Sequence, residues 1–156
     1  MKAAVFSDTH SSTIMMIQAV RRIRPDAVIH LGDLERDAYV LKTEFPEIPL
    51  YNVCGNCDVC PTSPESDVVP LGPIKAFICH GHQFNVKWGS FDSLAYAAME
   101  KNCKIAMYGH THVPDNQELG GVRIINPGHS GGSRSPTFAL VEVLDNGGFT
   151  VEIKDL

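Results

Sequence analysis

No apolar run in the 156 residues is longer than six, Leu94 to Met99, far short of the ~18–20 that a helix needs to span a bilayer. A membrane partner is therefore not expected. The N-terminus Met1-Lys2-Ala3-Ala4-Val5-Phe6-Ser7-Asp8 turns polar too early for an export signal, so the expected location is cytoplasmic. A run of basic residues is also missing: 13 Lys and Arg lie scattered against 18 Asp and Glu, for a net charge of −5. Such a surface repels duplex nucleic acid on average, but a small phosphorylated ligand remains possible where bound cations supply local positive charge. The five cysteines are odd in number, which in a chain without an export signal argues for free thiols and against a disulfide framework. Repeats and low-complexity tracts are lacking too. A composition 44% hydrophobic and 20% charged has enough apolar mass for a core, and the length suits one domain spanning residues 1–156.

What is present is a series of short apolar runs, each ending in a polar residue. Ala3 to Phe6 leads to Asp8, Ala27 to Leu31 to Asp33, and Leu50 to Val53 to Asn56. Ile74 to Cys79 leads to His80, and Ile105 to Tyr108 to His110 and His112. These read as five strands delivering polar side chains at their C-terminal ends, where an open α/β sheet places its ligand sites. Between the first two, Ile14, Ile17, Val20 and Ile23 predict a helix stopped by Pro25, which makes a βαβ unit. Phe91, Leu94, Ala95, Ala98 and Met99 predict a second helix, with Ser90 as its N-cap. From residue 122 strands follow without helices: Val122 to Ile125, Thr137 to Val143 and Phe149 to Ile153, the last two joined by the turn Asp145-Asn146-Gly147-Gly148. Pro61 to Pro73 and Gly128 to Pro136 read as loops. The predicted class is α/β: two mixed sheets packed face to face with helices outside.

The chemistry sits at the strand ends. Asp8-Thr9-His10 puts a carboxylate and an imidazole two residues apart, and Gly32-Asp33 adds a carboxylate able to place one oxygen on each of two cations. Asn56 offers a neutral oxygen; His80, His110 and His112 offer three imidazoles. Taken singly, each is as well read as a helix cap or a satisfied histidine. Jointly, seven such groups in one crevice are too costly to bury without cations. An oxygen-and-nitrogen donor set suits Mn²⁺, Fe, Ni²⁺ or Zn²⁺ and argues against Ca²⁺.

The order Asp8-x-His10, Gly32-Asp33, Gly55-Asn56, His80, Gly109-His110-x-His112 closely resembles the calcineurin-like metallophosphoesterase family. Gly55-Asn56-Cys57-Asp58, His80-Gly81-His82 and Ile125-Asn126-Pro127-Gly128 resemble more narrowly its small bacterial and archaeal phosphodiesterases. The resemblance implies an αββα sandwich and two divalent ions, manganese first among the candidates. Asp8, His10 and His112 would hold one ion, Asn56, His80 and His110 the other, and Asp33 would bridge them. It also implies a hydroxide shared by the two ions as nucleophile, a small phosphodiester as substrate, and a homodimer. Asp33, Asn56 and His80 then belong to the catalytic machinery, with Cys57 and His82 as candidate proton donors. Many monoesterases of the family follow Gly-Asn with a histidine thought to protonate the leaving group. Here that place is Cys57, a poorer acid at pH 7, which points to substrates with stable leaving groups. His129 stands where relatives typically have serine.

Two rival readings compete. Cys54-x-x-Cys57-x-x-Cys60 has the spacing of part of an iron–sulfur site but lacks the fourth ligand in context. A non-catalytic scaffold of the same fold is the other, because fold alone does not establish catalysis; the complete ligand set speaks for an enzyme.

Overall fold

A computed structural model describes residues 1–132 and 135–156. In chain order the elements are β1 (Lys2–Phe6), α1 (Ile14–Ile23), β2 (Ala27–His30), α2 (Glu35–Glu44), β3 (Leu50–Asn52), β4 (Ser66–Leu71) and β5 (Ile74–Cys79). Two short 3-10 turns, His82–Phe84 and Val86–Trp88, precede α3 (Asp92–Glu100), β6 (Ile105–Met107), β7 (Asp115–Leu119), β8 (Val122–Asn126), β9 (Thr137–Val143) and β10 (Phe149–Asp155).

The strands form two five-stranded mixed sheets, β10-β9-β1-β2-β3 and β4-β5-β6-β8-β7. Within the first, β1, β2 and β3 run parallel; within the second, β5, β6 and β8 do. Parallel neighbours deliver their C-terminal loops to one edge, so the loops bearing the candidate ligands share an end of each sheet. Alternation along the strands sends Ala3, Val5, Ile29 and Leu31 from one sheet, and Ala76, Ile78, Ile105 and Met107 from the other, into a shared buried core. The opposite faces are covered by helices. On the first sheet Ala4, Phe6, Val28 and Phe138 pack with Met16, Ala19 and Val20 of α1 and Leu41 of α2. On the second, Phe77, Ala106 and Ile124 pack with Leu94, Ala95 and Ala98 of α3.

Several expectations need correction. The segment Pro61 to Pro73, read as a loop, contains β4, paired antiparallel with β5 from Ser66↔Cys79 to Leu71↔Ile74. Prolines obscured it, yet Pro70 is tolerated because β4 is an edge strand and its missing N–H faces no partner. Ser90 is not the N-cap of α3: Phe91 holds that place without a side-chain cap, and the Ser90 hydroxyl donates to Asp92 Oδ2 at 3.3 Å. In α1 the buried stripe is Met16, Ala19 and Val20, whereas Ile14 is exposed. Residues three apart drift around a helix, while an i, i+3, i+4 set stays on one face. The loop read at Gly128 to Pro136 stands for residues 128–132 and 135–136; Ser133 and Arg134 lie outside the described residues. The terminal hairpin is as expected and runs on to Asp155.

Candidate metal centre

The candidate ligands follow strands, and five of the seven sit on backbone that ordinary residues avoid. Asp8, His10, Asp33, His110 and His112 all have positive φ, between 45° and 66°. A left-handed conformation costs a non-glycine residue on the order of 1 kcal/mol or more, and such strain gathers at functional sites. Two glycines make the crowding possible. A Cβ on Gly55 would collide with the Asp33 carboxylate and backbone, and one on Gly109 with the Ser7 hydroxyl and Asp8.

The donors converge. Among the described residues, the donor atoms of Asp8, His10 and His112 lie within 4.8 Å of one another, as do those of Asp8, Asp33 and His80. His112 Nε2 is 3.1 Å from Asp8 Oδ1 and 3.4 Å from His10 Nε2. His80 Nε2 is 3.2 Å from Asn56 Oδ1 and 3.5 Å from Asp33 Oδ1. The His110 ring stands edge-on to His80, 5.0 Å between centroids. All seven sequence-derived ligands are thus brought to one place.

The polarity of these contacts is that of a cation site. His80 Nδ1 lies 2.7 Å from the Leu31 carbonyl oxygen, which only accepts, so Nδ1 carries the proton. His80 Nε2 then faces two acceptors, on Asn56 and Asp33, an arrangement that a second proton on the ring or a cation among the three groups reconciles. Asp8 tells the same story: its Oδ2 accepts from the Ser7 hydroxyl at 2.6 Å and from His110 N–H at 3.0 Å, while its fully buried Oδ1 makes no hydrogen bond. A buried carboxylate oxygen without a hydrogen bond, its near neighbour the His112 Nε2 at 3.1 Å, fits a divalent ion.

Ionisation states agree. For Asp33, burial alone would raise the pKa, but the neighbouring His80 and the Cys57 N–H, donating to Oδ1 at 2.9 Å, hold it below the usual carboxylate range. Burial, then His80 and Lys87, push His110 down to about 4. It is neutral at pH 7, the form in which an imidazole ligates a metal.

Beneath the ligands runs a buried chain that sequence reasoning missed. His30 Nδ1 accepts from Gly32 N–H at 3.3 Å, so Nε2 donates to Thr9 Oγ1 at 3.1 Å, and the Thr9 hydroxyl donates to Asp37 Oδ2 at 2.8 Å. Asp37 also accepts from Ser11 N–H at 2.7 Å. This fixes the loop between Asp8 and Ser11 against the one leading to Asp33. A histidine inside the apolar run Ala27 to Leu31 was the available signal. A second brace is Asp58, which accepts from the backbone N–H groups of Gly55 and Glu35, each at 2.7 Å, and a third is Asn126, donating to the Gly109 carbonyl at 2.8 Å.

Of the other candidates, Cys57 is exposed at the rim, its backbone bonded to Asp33. A hydrogen bond to Asp33, then burial and nearby carboxylates, push its thiol up to about 11. His82 lies 5.5 Å from His80 and 6.1 Å from His110 between ring centroids, with Nδ1 buried and lacking a hydrogen-bond partner; burial and His80 lower its pKa. The His129 ring stacks parallel to His112 at 6.0 Å. Cys54 is buried while Cys57 and Cys60 are exposed.

Two packed mixed sheets with carboxylates and imidazoles gathered at one end define a metal-binding α/β sandwich. Residues 1–146 match the model of the calcineurin-like phosphoesterase superfamily domain, and the chain belongs to that family of metal-dependent phosphoesterases. It is 28% identical to a probable metallophosphoesterase of Bacillus subtilis, covering 99% of this chain and 91% of that one. A structure from Streptococcus pneumoniae, described as a predicted phosphoesterase, superposes with a TM-score of 0.83 at 31% identity, over 99% of this chain and 88% of that one. Wild-type Vps29 of Entamoeba histolytica complexed with zinc superposes with a TM-score of 0.74 at 25% identity over 99% of each chain. Among the described residues no helix is long and apolar enough to cross a membrane.

Proposed function

We propose that the chain is a single-domain, dinuclear metal-dependent phosphodiesterase acting on small diesters in the cytoplasm, with manganese as the first candidate metal. The observation that carries this is the convergence of metal-ligating atoms: His80 Nε2 on Asn56 and Asp33, and the buried Asp8 Oδ1, without a hydrogen bond, beside His112 and His10. Asp8, His10 and His112 hold one ion and Asn56, His80 and His110 the other, with Asp33 between them. When bound, two such ions supply an attacking oxygen at neutral pH and neutralise charge building on the phosphate. The protein's own part is positioning. Leu31 fixes the His80 tautomer, Ser7 and the His110 N–H turn Asp8 so that one oxygen faces inward, and the Thr9–Asp37 contact holds His10 in place.

The diester preference is supported by Cys57. A thiol pushed up to about 11 surrenders its proton reluctantly near neutral pH, so leaving groups stable as anions are favoured. The test is hydrolysis by manganese-reconstituted protein of bis(p-nitrophenyl) phosphate against p-nitrophenyl phosphate and a panel of natural mono- and diesters. Metal-dependent turnover of the diester above the monoester is expected, and Cys57→Ala should leave the activated diester rate nearly unchanged. A large loss in that variant would make the thiol the acid. The alternative is a non-catalytic scaffold of the same fold; ion binding without turnover of any ester would establish it.

A further inference from the structure

The metal reading leaves one rim donor without a use. Among the described residues a third set of donor atoms lies within 4.8 Å of one another: His10, Asp33 and the Cys57 sulfur. Two of its members are already assigned to cation binding, and the third is an exposed thiol on a loop held to Asp33 by its own backbone N–H. We propose that Cys57 is a third-party ligand at the His10–Asp33 position, recruited by thiophilic divalent ions such as Zn²⁺ and Cd²⁺ and left aside by Mn²⁺, so that soft metals close the face meant for phosphate.

The chemistry follows from softness and size. Thiolate is a soft ligand that prefers zinc and cadmium, whereas oxygen donors such as carboxylate suit manganese. A zinc ion holds sulfur at about 2.3 Å and nitrogen or oxygen at about 2.0–2.2 Å, so its ligands must close up somewhat from the observed spacing. Cys57 is exposed, and its thiol already faces Asp33 through a hydrogen bond. On ligation the S–H bond breaks, a metal–sulfur bond forms, and the proton leaves to solvent; no electrons change hands. With His10, Asp33 and Cys57 around it, the ion gains a protein sulfur where a catalytic site keeps an open position. The expected consequence is tight capture and arrest.

This inference rests on the dinuclear reading, and its test separates the two. Full-length protein is titrated with Cd²⁺ while the near-ultraviolet thiolate-to-cadmium band is followed, in wild type and in Cys57→Ser, Cys54→Ser, Cys60→Ser and His10→Ala; manganese stoichiometry is measured in parallel by calorimetry. The band should appear in wild type, survive in Cys54→Ser and Cys60→Ser, and vanish in Cys57→Ser, whose cadmium affinity falls by roughly tenfold or more. His10→Ala should weaken cadmium binding to a similar extent. Two manganese ions bound but no cadmium band in wild type, or a band that persists in Cys57→Ser, overturns the thiolate ligand and leaves the phosphodiesterase reading standing. A Cys57-dependent band without manganese binding keeps the cation trap and removes the dinuclear enzyme, and neither signal removes both.

Discussion

His30 shows how much one side chain outside the ligand set contributes. It is fully buried, and burial pushes its pKa down to about 4 despite nearby Asp37 and Asp8. Its ordinary value is ~6.5, so between these limits the unfolded chain takes up a proton that the folded chain refuses. Its contribution to stability is complete above pH ~6.5 and is lost as pH falls toward 4. By pH 4.5 the loss amounts to roughly 2–3 kcal/mol. Urea unfolding in a chelator at pH 7.5 and pH 4.5 should show wild type losing more stability than His30→Gln, which retains a donor for Thr9. Equal losses would mean that His30 is not the group responsible. At this scale the sequence was easy to read for the ligands and hard for their supports. Asp8, Asp33 and His80 stand out because each ends an apolar run. Ser7, Thr9, His30 and Asp37 act through side-chain hydrogen bonds, those of Thr9, His30 and Asp37 reaching across separate elements, which no local pattern reveals.

Elements were legible where burial imposes a period and obscure where it does not. β1, β2 and β5 are nearly wholly buried and read as apolar runs. α2 was missed because its buried face is only Ala38 and Leu41 with a polar Asp37, too narrow a stripe to stand out. β7, Asp-Asn-Gln-Glu-Leu, has no apolar alternation, since it forms an outer edge of its sheet. β4 hid behind Pro64, Pro70 and Pro73, although Val69 and Leu71 alternate into the core between the sheets. Leu71 is fully buried there, so Leu71→Ala should cost roughly 2–5 kcal/mol through lost burial and the cavity left behind. Chemical denaturation of the variant checks this. A change below ~0.5 kcal/mol, typical of a surface loop, would say that the segment contributes no core.

For the whole molecule, one arrangement explains why so many expensive groups occur together. Two sheets, each with parallel strands ending on the same side, pack so that five strand-end loops meet. The face-to-face architecture followed from alternating βα units giving way to consecutive strands. The meeting of all seven ligands was legible only in the joint motif, because nothing in any single loop says which other loop it faces. In the proposed dinuclear reading one carboxylate serves both ions, which would make Asp33 the keystone of that meeting. The direct measurement is calorimetric titration of the metal-free protein with Mn²⁺, wild type beside Asp33→Ala, with circular dichroism confirming that both are folded. The account predicts two ions per wild-type chain and none held comparably by the folded variant. One ion in wild type, or two still bound by Asp33→Ala, would contradict it.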